Sequence, residues 1–522
     1  MNVEYMNETP QSQKIVPDRL AGLWLFWVLA AGVLVLRLLY AASLQLVPDE
    51  AYYWVWSRHP ALGYFDHPPM IAYIMWLGTR AAGTTELGVR LIGVVMGVGA
   101  MVVIVVLARR VLRDERATLW VALIWLTSPM LTLTGLIITP DVPAIFFGVC
   151  ALALAGIIAD IDDHPNQSRR AIPWLWLAFG LFTGLAFDSK YPAVLPAAGA
   201  AIAFLFSRRG IAHFRRPWIY LGAIVALLAF MPVVLWNAQH HWASFVYQLH
   251  HGTSGDAAAT APLPARVVQL IKDLGVYIGQ QVGVWTPILF VIALVLLAYY
   301  WVRYRQIGQV DRVMLWTGTL PLVVFGAAAL KAHHTEANWP TFAYFPISIL
   351  TGRWVSRNWS NPRVNWVKGG IQLAGAIVIG LYVILLPPVT ASILKLPLHA
   401  PHNLKDLTGW REDGRTLGAW AEESGSVVMC NRHQDAGEAA FYIPGQPDVW
   451  CVGVGFRPTA YDYFDEPRDF AKIARILWVG GHEELFCKKY GFRVLYDRRS
   501  TRFVGRKNAR TLSAYVLVRT KP

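Results

Sequence analysis

Five short segments carry the residue types that chemistry needs: Pro48-Asp49-Glu50, Tyr64-Phe65-Asp66-His67-Pro68-Pro69, Thr139-Pro140-Asp141, Asp188-Ser189-Lys190-Tyr191-Pro192, and Lys331 to Trp339, reading KAHHTEANW. Four of them adjoin a long apolar run, and the second lies further along the loop that follows the first. Together they suit transfer of a group from a phosphate-linked sugar. A carboxylate would take the proton of an attacking hydroxyl, and cations would balance the charge that grows on a leaving phosphate. Asp49, Glu50, Asp66 and Asp141 are candidates for the first role. His67, Lys190, Lys331, His333 and His334 are candidates for the second. A lone charge at the end of an apolar run is ordinarily a solvated or snorkelling residue, so the weight rests on five such turns lying on one side.

That side follows from the elements between the turns. The chain is 55% hydrophobic and 15% charged over 522 residues, against about 25% charged in soluble domains. Apolar runs near the length of a bilayer crossing fall at 20–43, 88–108, 116–135, 140–159, 171–187, 190–206, 218–236, 281–302, 313–330, 340–355 and 369–388, about eleven spans. The net charge of +14 comes from short Arg clusters between these runs and not from a basic groove or docking motif, which argues against nucleic acid. With the N-terminus inside, about nineteen Lys and Arg face the cytoplasm and about six face out. The five turns, and everything after Pro388, then lie outside. Residues 1–19 read as a polar cytoplasmic segment with no cleavable leader, and the run from Leu20 stays as an anchor.

The expected architecture is an all-α polytopic membrane protein over 20–388 followed by a periplasmic α/β domain over 389–522. The first outer loop, 44–87, holds two aromatic-rich runs, Ala51–Arg58 and Pro68–Arg80, that suit helices lying in the membrane interface. Loop 238–280 contains a Gly/Ala/Thr/Pro stretch, Gly252–Pro264, expected to be mobile and to act as a lid. In the tail, β-type runs at Ser426–Cys430, Asp448–Val452, Arg475–Val479, Arg493–Tyr496 and Ala514–Arg519 alternate with helical stretches at Glu438–Tyr442 and Glu483–Tyr490. The tail has neither a phosphate-binding glycine loop nor metal-ligand spacing, so it is assigned a binding or structural role. Cys150 reads as a small hydrophobe. Among Cys430, Cys451 and Cys487 a 430–451 disulfide is one option and free thiols another.

The quoted segments resemble the GT-C glycosyltransferases of the protein O-mannosyltransferase and aminoarabinose-transferase type, including the galacturonosyltransferase-like members that modify lipid A and core. PDEAYYW (Pro48–Trp54), GYFDHPPM (Gly63–Met70), TPD (Thr139–Asp141), SKYP (Ser189–Pro192) and EANWP (Glu336–Pro340) stand in that family's order. The resemblance implies an inverting transfer from a polyprenyl-phosphate sugar to lipid A or lipopolysaccharide core on the periplasmic face of the bacterial inner membrane. It implies Asp49 as the base, with Glu50 and Asp141 as further acidic residues of the catalytic set. Asp66, His67, Lys190, Tyr191, Lys331, His333, His334, Glu336 and Asn338 would bind the carrier phosphate or substrate. Asp66-His67 departs from the family's Glu-Lys, and a neutral His binds phosphate less strongly than Lys. Lys190 has a second reading as an ion pair with Asp188. No cofactor is called for; a divalent metal is an option at His333, His334 and Glu336, although the spacing is unlike HExxH. The rival reading is a lipid or solute transporter, which would place its charges at the bilayer midplane in repeated halves. No such repeat is visible in the sequence.

Overall fold

The computed structural model describes residues 23–253, 263–332, 336–394, 407–464, 470–504 and 507–520. The expected N-terminal cytoplasmic segment lies outside them. Among the described residues six helices are long and apolar enough to cross a bilayer: Trp24–Ser43, Glu86–Leu112, Asp141–Asp163, Pro217–Gln239, Gln309–Lys331 and Val364–Leu394. A bent pair, Pro264–Trp285 with Pro287–Val302, meets at 107° and makes a seventh if counted as one span. The remaining expected spans also appear as helices, but short ones: Ile172–Phe187, Val194–Leu205, Tyr344–Arg357 and a broken pair, Glu115–Leu126 and Pro129–Thr134.

Local sequence explains both breaks. Ser128 accepts a hydrogen bond from the Leu131 N–H and Pro129 follows it, so the chain caps and restarts a helix there. Thr286 adopts φ 67° immediately before Pro287, and a residue before proline is pushed out of the α region. The expected loop at 238–280 is largely helical, as Ala243–Thr253 and Leu263–Trp285. Arg266, Lys272, Asp273 and three glycines interrupt the apolar pattern of the second helix, which is why the sequence alone reads as a connection. The core of its expected mobile stretch, 254–262, lies outside the described residues.

The expected first outer loop forms helices Pro48–Arg58 and Met70–Ala82. The second exposes Trp76 and Leu77, as an interfacial helix would. The first does not: every residue from Glu50 to Ser57 is buried. What covers it is the C-terminal part of the chain. There β1 (Val427–Cys430), β2 (Trp450–Cys451), β3 (Arg475–Val479), β4 (Phe492–Val504) and β5 (Lys507–Arg519) form one sheet in the order β2-β1-β3-β5-β4. β1 runs parallel to β2 and β3, and β5 runs antiparallel to β3 and β4. Helices Trp410–Ser424, His433–Tyr442 and Glu483–Tyr490 complete the unit. Cys430 and Cys451 are register partners on neighbouring strands and form no disulfide with each other.

The sheet unit is packed onto the helical bundle, not tethered beside it. One apolar cluster runs from Leu46, Tyr52, Trp56 and Ile71 into Trp410, Ala436, Phe441 and Val479. Gly437 makes the closest approach: a Cβ there would lie 2.6 Å from the Tyr52 backbone nitrogen. Only a residue without a side chain lets the two helices touch backbone to backbone. Polar contacts frame the apolar ones. Arg411 pairs with Glu86 at 2.6 Å, Arg58 with Asp448 at 2.5 Å, and the Tyr442 hydroxyl accepts from Leu46 N–H at 2.7 Å.

Candidate active site

The ends of the helices nearest the sheet unit enclose a cavity of about 560 Å³. Of the residues picked out in the sequence, Asp49, Asp66, His67, Lys190, Tyr191, Glu336 and Asn338 line it. Segments that are hundreds of residues apart in the chain thus share one space. Lys331 is exposed at the end of its helix and is not part of the wall; His333 and His334 lie outside the described residues. Among the described residues no three His, Cys, Asp or Glu approach closely enough to hold a metal ion.

Asp49 sits in the first turn of helix Pro48–Arg58, fixed there by Pro48 at the helix start. Among the described residues no hydrogen bond or ion pair holds its carboxylate. Partial desolvation by the surrounding cavity wall raises its pKa above the ordinary value, and the negative charges of Asp66 and Glu50 add to the rise, while Arg457 opposes it. It has the properties of a base: within reach of a ligand, uncommitted, and more proton-hungry than a solvated carboxylate.

Glu50 departs from expectation. Its side chain is fully buried and points away from the cavity, where Arg90, also 0% exposed, grips both oxygens at 2.8 and 2.5 Å. The Ile138 and Val47 backbone N–H groups donate to the same carboxylate at 2.8 and 3.1 Å. Arg90 in turn binds the carbonyls of Ala41, Leu44 and Gln45. Glu50 is therefore a clamp joining the end of the first long helix to the turn before Thr139. With four donors already on it, it has no free lone pair directed at a substrate, so the catalytic role expected for it is replaced by one of positioning.

Asp141 is also one layer back. Both its oxygens take the Lys190 ammonium, at 2.8 and 2.9 Å, and Asn338 Nδ2 donates to it at 2.8 Å. Lys190 thus reaches the cavity with its head held from behind. The alternative pairing of Lys190 with Asp188 does not occur. Asp188 is buried next to the start of helix Met70–Ala82, whose Met70 N–H donates to its carbonyl, and burial pushes its carboxyl up to about 8. Tyr191 donates to or accepts from Ser244 at 2.7 Å.

Asp66 receives the Tyr52 hydroxyl at 2.6 Å and Arg457 Nη1 at 2.6 Å. His67 has its pKa lowered to about 4, by burial first and then by the Lys190 charge, so it is a neutral group near pH 7. Arg457, His433 and Gln434, all from the sheet unit, close the wall. Sequence reading missed these three. They carry no spacing motif, and their role exists only because the sheet unit docks on helix Pro48–Arg58.

With this geometry in place, the comparisons with known proteins are as follows. The pattern of the dolichyl-phosphate-mannose-protein mannosyltransferase family matches residues 66–236. The lipid A galacturonosyltransferase RgtD of Rhizobium johnstonii is 27% identical over 415 residues, covering 76% of each chain. An undecaprenyl phosphate-alpha-4-amino-4-deoxy-L-arabinose arabinosyl transferase of Pseudomonas aeruginosa is 27% identical over 224 residues, 39% of each. Among solved structures, ArnT from Cupriavidus metallidurans in the apo state superposes with a TM-score of 0.63 at 16% identity, over 95% of this chain and 98% of that one. The same protein bound to undecaprenyl phosphate gives 0.62 at 15% identity, over 94% and 98%.

Proposed function

We infer that this chain, a GT-C glycosyltransferase resembling the aminoarabinose and lipid A galacturonosyl transferases, moves a sugar from a polyprenyl-phosphate carrier to a hydroxyl of lipid A or lipopolysaccharide core at the periplasmic face of the bacterial inner membrane. The observation that carries this reading is the pairing, in one cavity, of an uncommitted, accessible carboxylate at Asp49 with the buttressed ammonium of Lys190.

In the proposed reaction the acceptor oxygen attacks the anomeric carbon from the side opposite the phosphate. The new C–O bond forms as the bond from carbon to phosphate oxygen breaks, which inverts the anomeric configuration. The hydroxyl proton passes to Asp49, and the electron pair of the broken bond stays on the phosphate. Lys190 meets the charge that grows there. Asp141 and Asn338 keep the ammonium in place, and Asp66 and Tyr191 shape the walls.

The topology belongs to the same proposal. The short helices are taken as additional crossings, giving about eleven spans, with the catalytic bundle over 20–388 and the sheet unit over 389–522 on the outer side. The cation asymmetry supports this orientation, and so does the sheet unit's position beside the cavity that Asp49, Asp66, Lys190 and Asn338 line.

The test supplies purified protein with sugar-loaded undecaprenyl phosphate and lipid A. Sugar-modified lipid A and an equal amount of free undecaprenyl phosphate are expected. A transporter would yield neither, and their absence would return the chain to that class.

A further inference from the structure

The cavity has a charge imbalance that Lys190 does not correct. Its ammonium already faces both oxygens of Asp141, Asp49 and Asp66 also border the space, and His67 is neutral near pH 7. A leaving phosphate, which gains negative charge as its bond breaks, would meet more carboxylates than cations. Among the described residues lining the cavity the other permanent cation is Arg457, brought in by the sheet unit.

Arg457 is held in a way that leaves it available. Nη1 donates to Asp66 Oδ1 at 2.6 Å and to the Pro458 carbonyl at 3.0 Å. Its guanidinium carbon lies 4.7 Å from the centre of the Tyr247 ring, and the side chain remains 44% exposed. Nε and Nη2 make no hydrogen bond among the described residues. A guanidinium has five donors in a planar fork, and two adjacent ones match two oxygens of a phosphate. When Arg457 turns to a phosphate, the Tyr52 hydroxyl stays on the other Asp66 oxygen at 2.6 Å.

We propose that Arg457 is a second cation for the carrier phosphate, held in standby by Asp66 and presented by the sheet unit, so that the donor site is complete only when that unit is docked on helix Pro48–Arg58. This rests on the polyprenyl-phosphate reading above. It assigns the sheet unit a part in binding the donor, beyond covering the bundle.

The test measures binding of undecaprenyl phosphate alone, without sugar or acceptor, to the full-length protein in nanodiscs, with uncharged undecaprenol as the second ligand. Arg457→Ala should weaken undecaprenyl phosphate by about 10- to 100-fold and leave undecaprenol unchanged. Arg457→Lys, which keeps charge and loses the fork, should fall between. Asp66→Asn separates binding from architecture. If Arg457 is only a strut against Asp66, this variant should lose as much carrier affinity as Arg457→Ala; if Arg457 serves the phosphate, freeing it should hold or improve that affinity. Wild-type binding of undecaprenyl phosphate by Arg457→Ala overturns the proposal, as does equal loss in Asp66→Asn. So does an effect confined to the KM of the acceptor, which would assign Arg457 there. Failure of the enzymatic reading is distinguishable, since wild-type protein would then bind the carrier and transfer nothing.

Discussion

Lys190 and Asp141, 49 residues apart, meet with the ammonium 2.8 and 2.9 Å from the two carboxylate oxygens. The pair fixes a cation at the mouth of one helix by means of an acid at the mouth of another. Lys190→Ala should therefore weaken carrier binding by about 10- to 100-fold. Asp141→Asn should show a smaller loss, because the ammonium survives but is no longer held. Titration of each variant with undecaprenyl phosphate reads both effects.

Asp49→Asn keeps the size of the side chain and removes the base. General-base catalysis contributes about 10²- to 10⁴-fold, so kcat should fall within that range while carrier affinity stays close to wild type. Equal kcat in the variant would remove Asp49 from the mechanism.

Activity should depend on the protonation of Asp49 in a fixed direction. The base works only when ionised, and its pKa is raised, so activity should be full at higher pH and be lost as pH falls through a value above the ordinary carboxylate range. Asp66 and Glu50 raise that value and Arg457 lowers it. In Arg457→Ala, measured at saturating donor, the acid limb should accordingly move to higher pH. His67, already neutral above about 4, should add no inflection between about pH 5 and 8, where an ordinary histidine titrates; the pH profile of His67→Gln should keep its shape whatever its height.

Glu50→Ala should behave as a folding defect. It strands the Arg90 guanidinium in a fully buried site, a loss of about 3–5 kcal/mol when one partner of a buried pair is removed. Replacing both, as Glu50→Leu with Arg90→Met, should recover only part of the thermal stability: no buried charge remains, but the Ala41 and Leu44 carbonyls and the Ile138 and Val47 N–H groups lose their partners. A chemical role for Glu50 would instead give a stable, inactive Glu50→Gln protein.

Gly437→Ala tests the docking of the sheet unit. The added methyl would meet backbone, not a movable side chain, and overpacking of this kind costs about 1–3 kcal/mol. A lower Tm with a raised KM for donor is expected, because Arg457 and His433 retreat with the unit. An unchanged KM would show that the donor site does not depend on the close helix contact.

The sequence by itself determined the class of molecule and most of the reagents. In lipid an apolar run of bilayer length satisfies its backbone as a helix, so most of the helical segments were legible, though not the helices within 238–280; alternation marked the strands of the tail, and residue type marked the turns bearing Asp49, Asp66, Lys190 and Asn338. Tertiary structure alone decided which of those residues face the cavity. Asp49 and Glu50 are neighbours with similar chemistry, yet successive residues of a helix point about 100° apart, and only the place of Arg90 shows that Glu50 turns inward as a clamp. Asp141 likewise became a support once Lys190 was seen to lie in front of it. Arg457 was invisible for the same physical reason: its place in the wall arises from contact between distant parts of the chain, packed through Gly437 onto Tyr52, and no local spacing encodes a long-range contact.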